Sequence, residues 1–358
     1  MIYREAGQIK TSYVADQAIF PITQDRWFIG VILAIAFIVF PLVGNEYFLQ
    51  AIMIPVLIYS LAAIGLNILT GYCGQVSLGT GGFMAVGAVS CYKLMTGFPE
   101  MNLIVVLLLS GLVTAAVGMI FGIPSLRIKG FYLAVATLAA QFFLSWLFNK
   151  VPWFVNYTPS GTITAPPREV LGVIMTGPYA TSLSRYFFCL IVVCVFALLA
   201  KNMARGSVGR AWMAIRDMDI AAQLIGFRPF QVKLLAFSIS SFYIGVAGAM
   251  MFALWLGAVE TAEAFDINLS FQVLFMVIIG GLGSIAGSFM GAAFIVLMPI
   301  LLTNVMVGGM GMQAVTAKHI EIIIFGSLII LTLIIEPNGM ARLWQIAKEK
   351  LRLWPFPH

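Results

Sequence analysis

The long apolar runs of this 358-residue chain have no Asp, Glu, Lys, Arg or His in their interiors. Only Lys93, Arg185 and Glu321 stand at the ends of such runs. The runs fall at residues 28–44, 48–69, 78–94, 102–123, 131–149, 185–200, 234–256, 267–303 and 320–335. A crossing helix needs about 20 apolar residues. Charged residues make up 9% of the chain, against roughly a quarter in a soluble domain. The chain has too little polar surface to cover itself in water. It reads as an all-α polytopic membrane protein, with about ten transmembrane or re-entrant helices and a short cytoplasmic helix.

Uncharged spans also exclude chemistry. An intramembrane hydrolase needs a nucleophile and a base, and no such pair lies at depth. His319 and His358 sit at a helix end and at the last position, so neither is a catalytic or metal candidate. Cys73, Cys91, Cys189 and Cys194 have no zinc spacing and read as packing residues. No catalytic residue, metal site or nucleic-acid module is expected. A net charge of +6 fits basic cytoplasmic loops. No Gly-Lys dipeptide occurs, so the chain has no phosphate-binding loop of the GxxxxGK[ST] type. No cofactor is expected on this chain, and any ATP would be bound by a partner.

Two glycine-rich stretches interrupt the apolar pattern. GYCGQVSLGTGGFMAVGA at 71–88 predicts a break after the second helix and a third helix from about residue 78 to 94. Irregular backbone at membrane depth survives only inside protein or beside water. Asn67, Gln75, Ser77 and Thr80 are therefore candidates to line a polar path, or simply to join helices by hydrogen bonds. GGLGSIAG lies mid-way in the 267–303 run, and Gly280, Gly281, Gly283, Ser284 and Gly287 mark a bend there.

The longest polar interruption after residue 185 is 201–233, which holds six of the twenty Lys and Arg residues. Within it Ala211, Ile215, Met218, Ala222 and Ile225 recur at helical spacing, which predicts one amphipathic helix from about residue 210 to 225. Its apolar side can rest on lipid headgroups or dock in a groove of another protein. Cytoplasmic loops carry the Lys/Arg excess, which places this segment inside. Arg127 and Lys129, the N-terminal Arg4, Lys10 and Arg26, and the tail residues Arg342, Lys348, Lys350 and Arg352 fall on the same side if 267–303 crosses twice. The division that follows is a cytoplasmic extension at 1–27, a transmembrane region at 28–335 and a cytoplasmic tail at 336–358.

The ordered blocks GYCGQVSLGTGGFMAVGA, IPSLRIKGFYLAVATLA, SVGRAWMAIRDMDIAAQLIGF, KLLAFSISSFYIGVAGAM, GGLGSIAGSFMGA and the closing IEPNGM resemble the LivM-type permeases. These are membrane subunits of bacterial branched-chain amino-acid ABC importers. Cys73 and Thr80 depart from that pattern. The resemblance implies an inner-membrane permease paired with a sister permease as a heterodimer. It also implies two cytoplasmic ATPases, a periplasmic substrate-binding protein and surrounding lipid. It implies that 209–226 is the ATPase-coupling segment, carried by Gly209, Arg210, Ala214, Ile215, Arg216, Ala221, Ala222 and Gly226; Met218, on the helical pattern above, joins that set. Related permeases serve urea or short amides, and an ATP-independent secondary transporter or a membrane scaffold remains open. The charge count generates one prediction: a cytoplasmic reporter fused after His358 is active on the inner face, and activity confined to the outer face would defeat the ten-pass topology.

Overall fold

The computed structural model describes residues 12, 23–126, 132–158, 161–335 and 339–353. Arg127, Lys129, most of the 1–27 extension and Glu336, Pro337 and Asn338 of the closing motif lie outside the described residues. The chain forms helix α1 at Asp25–Val43, α2 at Phe48–Tyr72, α3 at Thr80–Gly97, α4 at Leu103–Ser125 and α5 at Tyr132–Lys150. Next come α6 at Ser182–Arg205, the short α7 at Ser207–Asp217 and α8 at Asp219–Leu224, and α9 at Pro229–Leu256. The chain then folds α10 at Ile267–Gly280, α11 at Ile285–Gly309, α12 at Ala314–Ile335 and α13 at Gly339–Leu353.

Seven of these, α1, α2, α4, α5, α6, α9 and α11, are long and apolar enough to cross a membrane. With α3, α10 and α12 the described helices match the ten expected segments. This is an all-α polytopic membrane protein. The helices outrun the apolar runs by a few residues: α6 extends to Arg205 and α9 begins at Pro229, not 234. Proline suits the first turn of α9, where its missing N–H has no helical partner. Polar side chains fix other starts. Asn102 accepts the Ile104 N–H at 2.9 Å, Asp266 the Leu269 N–H at 3.0 Å and Ser284 the Gly287 N–H at 3.1 Å.

The centre of the bundle is α9, packed by α2, α3 and α4. Phe83 of α3 meets Phe237 of α9 edge to face at 5.8 Å. Apolar burial drives little association when the alternative is lipid, so close backbone contact must supply it. A Cβ on Gly87 would overlap the Gly245 carbonyl, and one on Gly248 the Met84 carbonyl. On the periphery, α4 turns Leu112 and Ile120 outward, 56% and 68% exposed. Such surface belongs in lipid.

At the end of the bundle away from α7 and α8, two loops are zipped together. Strand β1, Thr162–Thr164, pairs antiparallel with Ala258–Glu260, with Ile163 opposite Val259. Lys93 reaches this loop region, hydrogen-bonding Asn156 and lying 4.1 Å from the Trp153 ring centroid.

The bend predicted in 267–303 is present. Gly281 and Gly283 take φ of 115° and 75°, values that favour glycine, and the chain reverses from α10 into α11. The two helices then pack against one another, with Gly280 on the Gly287 carbonyl. A Gly87→Val variant tests the central packing. It is expected to lose about 1–3 kcal/mol through forced backbone displacement, read as a lower midpoint of thermal unfolding in detergent.

Candidate functional site

The helix breaks meet at three polar junctions. The first is inside the bundle, where α3 begins beside the middle of α5. The first-turn N–H groups of a helix have no intrahelical acceptor. Here side chains from other helices supply them. The Leu78 N–H donates to Thr137 Oγ1 at 2.9 Å, the Gly81 N–H to Ser270 Oγ at 2.8 Å, and the Gly82 N–H to Gln141 Oε1. Ser270 Oγ also donates to Gln141 Oε1 at 3.0 Å, while Gln141 Nε2 donates to the Phe265 carbonyl at 2.9 Å. Gln141 thus ties α3, α5 and the start of α10 together. It is not among the residues singled out from the sequence, where the available signal was a lone Gln in an otherwise apolar run.

The second junction joins α2 to the α10–α11 turn. Asn67, 1% exposed, accepts the Gly283 N–H on Oδ1 at 2.8 Å. Its Nδ2 donates to the Ser284 carbonyl at 2.9 Å and to Ser288 Oγ at 3.0 Å. One carboxamide therefore satisfies a turn that has left helical geometry. The other path candidates are distributed differently. Ser77 is buried and accepts from the Gly79 N–H at 3.5 Å. Thr80 is buried at the start of α3 and Gln75 is half-buried. Thr80 Oγ1 and Gln75 Oε1 find no hydrogen-bond partner among the described residues. Among the described residues, Asn67 alone of the four makes long-range side-chain bonds.

The third junction lies at the polar segment, and here the structure corrects the expected helix. The stretch 210–225 is two helices, broken at Met218, whose backbone is extended at φ −152°, ψ 89°. Different anchors hold the two sides of the break. Arg216 Nη1 donates to the Gly71 carbonyl at 2.9 Å, at the end of α2. Asp219 pairs with Lys233 of α9 at 3.2 Å. The acidic side chain also suits the N-terminal turn of α8.

The break divides the predicted apolar face. Ala211, Ile215 and Ala222 are buried, with Trp212 buried beside them. Met218 and Ile225 are turned out, at 68% and 74% exposed, together with Ile220 and Leu224. Gly209 lies on the Ala204 carbonyl with no room for a side chain. Arg210 is exposed and bonds the Arg205 carbonyl at 3.2 Å. Ala214 is half-buried, Ala221 is exposed, and Gly226 ends the segment at φ 99°. Among the described residues, no three His, Cys, Asp or Glu side chains come together as a metal site.

These junctions join helices through backbone and side-chain hydrogen bonds. A profile of the family described as branched-chain amino acid transport system / permease component matches residues 48–333. The chain belongs to that family. It is similar to the high-affinity branched-chain amino acid transport system permease protein LivM of Salmonella typhimurium, 29% identical over 304 residues. The LivM protein of Escherichia coli is 28% identical over the same length. Each match spans 79% of this chain and 68% of the relative. No solved structure matches it significantly. All three junctions fall inside the matched region.

Just beyond α2, Cys73 is buried. Burial pushes its thiol up to about 12, opposed by nearby Lys233 and reinforced by Asp219. The unreactive thiol therefore dominates through neutral pH. A variant retaining only Cys73 is expected to label slowly with maleimide at pH 8 in the folded state and fully after denaturation. Fast labelling of the folded protein would show that the α2 end opens to solvent.

Proposed function

We propose that this chain is the permease subunit of an ABC importer for branched-chain amino acids. A periplasmic binding protein delivers the substrate, a sister permease completes the membrane unit, and two cytoplasmic ATPases drive it. The observation that carries this reading is the exposed apolar ridge of Met218, Ile220, Leu224 and Ile225 on a polar segment of a family permease that has no nucleotide-binding loop of its own. An apolar ridge on a short helix, rimmed by charge, suits a groove on another protein. The break at Met218 supports docking in particular, because it turns these side chains away from the bundle while Ala211, Trp212 and Ile215 hold α7 in place.

The basic segment 201–233 and the basic α13 face the cytoplasm in this reading, which puts the β1 loop outside. Binding and release of ATP on the partner subunits would move α7 and α8, and the attached helices would rock between outward and inward access. The uncharged interior suits a zwitterion with an apolar side chain. Its carboxylate would not find free donors in the Leu78, Gly81 and Gly82 amides, which already donate to side chains, whereas the Thr80 hydroxyl, buried at the α3 start, has no partner among the described residues. It would have to displace an acceptor from one of those amides, turn to the Thr80 hydroxyl or bind elsewhere along the path.

The ridge is tested by Ile220→Asp with Leu224→Asp. Both residues are more than 70% exposed, so the protein should insert and fold normally. Co-purification of the ATPase subunits is expected to fall tenfold or more. Undiminished ATPase binding by the double variant would sink the docking reading. Ile215→Asp is not a clean probe, since Ile215 is 3% exposed and its loss would damage the packing of α7.

A further inference from the structure

We propose that Arg216 is the positioning residue through which movement of the polar segment reaches the helix breaks, acting by way of the Gly71 carbonyl and Asn67. The inference rests on the functional reading above, in which partner ATPases act on α7 and α8. It concerns the route inside this chain by which that action arrives.

The route is continuous in hydrogen bonds and packing. Helix α2 ends in a wide turn, Ile68–Tyr72, and leaves its last carbonyls without helical donors. A cation is favoured at such an end. Arg216 supplies it, donating from Nη1 to the Gly71 carbonyl at 2.9 Å, while Asp217 holds Nε at 2.9 Å. The stem of Arg216 also lies over the chain leaving α2, for a Cβ on Gly74 would come within 2.8 Å of Arg216 Cγ. Gly71 in turn is seated on the α10–α11 turn. A Cβ there would overlap both the Gly283 nitrogen and Asn67 Oδ1. Asn67 then grips Gly283, Ser284 and Ser288. A guanidinium, a carbonyl and a carboxamide therefore connect α7 to α2, α10 and α11.

The other polar anchor of the segment, Asp219 with Lys233, runs to α9. The two anchors straddle the break at Met218. A push on the ridge is thereby divided between α9, the centre of the bundle, and the α2 junction. A planar guanidinium bonded to two oxygens at once holds direction as well as distance, which an ammonium does not.

The test uses the full transporter in proteoliposomes, with uptake and ATP hydrolysis measured in the same vesicles. Arg216→Gln is expected to keep ATPase co-purification within twofold of wild type. It should cut uptake at least tenfold while hydrolysis falls less than threefold. Arg216→Lys should give an intermediate ratio of uptake to hydrolysis. Asn67→Ala, further along the route, should lower that ratio as well. A ratio unchanged in Arg216→Gln, whether both activities fall or neither does, would overturn the proposal.

Hydrogen exchange on the permease alone separates this from the functional reading. Arg216→Gln should speed exchange of the amides at 281–284, and unchanged exchange there would overturn the linkage. Wild-type vesicles lacking ATP-dependent uptake would instead overturn the reading of the function on which the proposal rests.

Discussion

Inside an apolar bundle every backbone donor and acceptor must find a partner within the protein, because no water or lipid group can serve. Continuous helices meet this demand on their own. The transport scaffold does not use continuous helices throughout. It interrupts the path between α2 and α3 and turns sharply between α10 and α11. Each interruption frees backbone groups, and each is answered by a side-chain amide with two kinds of polar atom. Gln141 accepts from α3 and donates to the carbonyl before α10. Asn67 accepts from the Gly283 amide and donates to the Ser284 carbonyl. A carboxamide suits these places because it carries donor and acceptor without charge, so burial costs less than it would for an ion.

This arrangement has a mechanical consequence. Helices joined by glycine-to-carbonyl contacts, as α3 and α9 are at Gly87 and Gly248, move together. Small changes there meet backbone and not flexible side chains. The junctions built on Asn67 and Arg216 are different. Their bonds run between side chains and backbone groups at helix ends, from Arg216 to the Gly71 carbonyl and from Asn67 to the Gly283 amide and the Ser284 carbonyl. In the proposed transport cycle, rigid-body rocking would use these side-chain junctions as joints.

The helical spans were legible in the sequence because their cause is local. An apolar run of sufficient length in a chain with so few charges has one stable outcome. The bend at Gly281 and Gly283 was legible for a related reason, since two passes alone kept the basic tail on the same side as the basic segment. The boundaries were less so. Helix α6 continues to Arg205 through residues that periodicity had counted as polar linker, because a long side chain at a helix end can reach out of the apolar layer. Gln141 escaped notice because its importance comes from three elements far apart in sequence. Only the folded arrangement brings Gly82, Phe265 and Ser270 to it.

The segment 201–233 shows where helical periodicity fails. Ala211, Ile215, Met218, Ala222 and Ile225 would share a face only if one helix ran through them. Nothing in their spacing forbids that helix. What prevents it is tertiary: Arg216 is drawn to the end of α2 and Asp219 to Lys233 on α9, and Met218 between them takes up the difference. The break exchanges a fully buried stripe for two half-surfaces. One, built on Ala211, Trp212 and Ile215, belongs to the bundle. The other, built on Ile220, Leu224 and Ile225, faces away from it. A single amphipathic helix has one apolar face and must spend it either on its own protein or on a partner. A broken one has two. That division is what lets this segment be held firmly by its own helices while still offering an apolar ridge to something outside them.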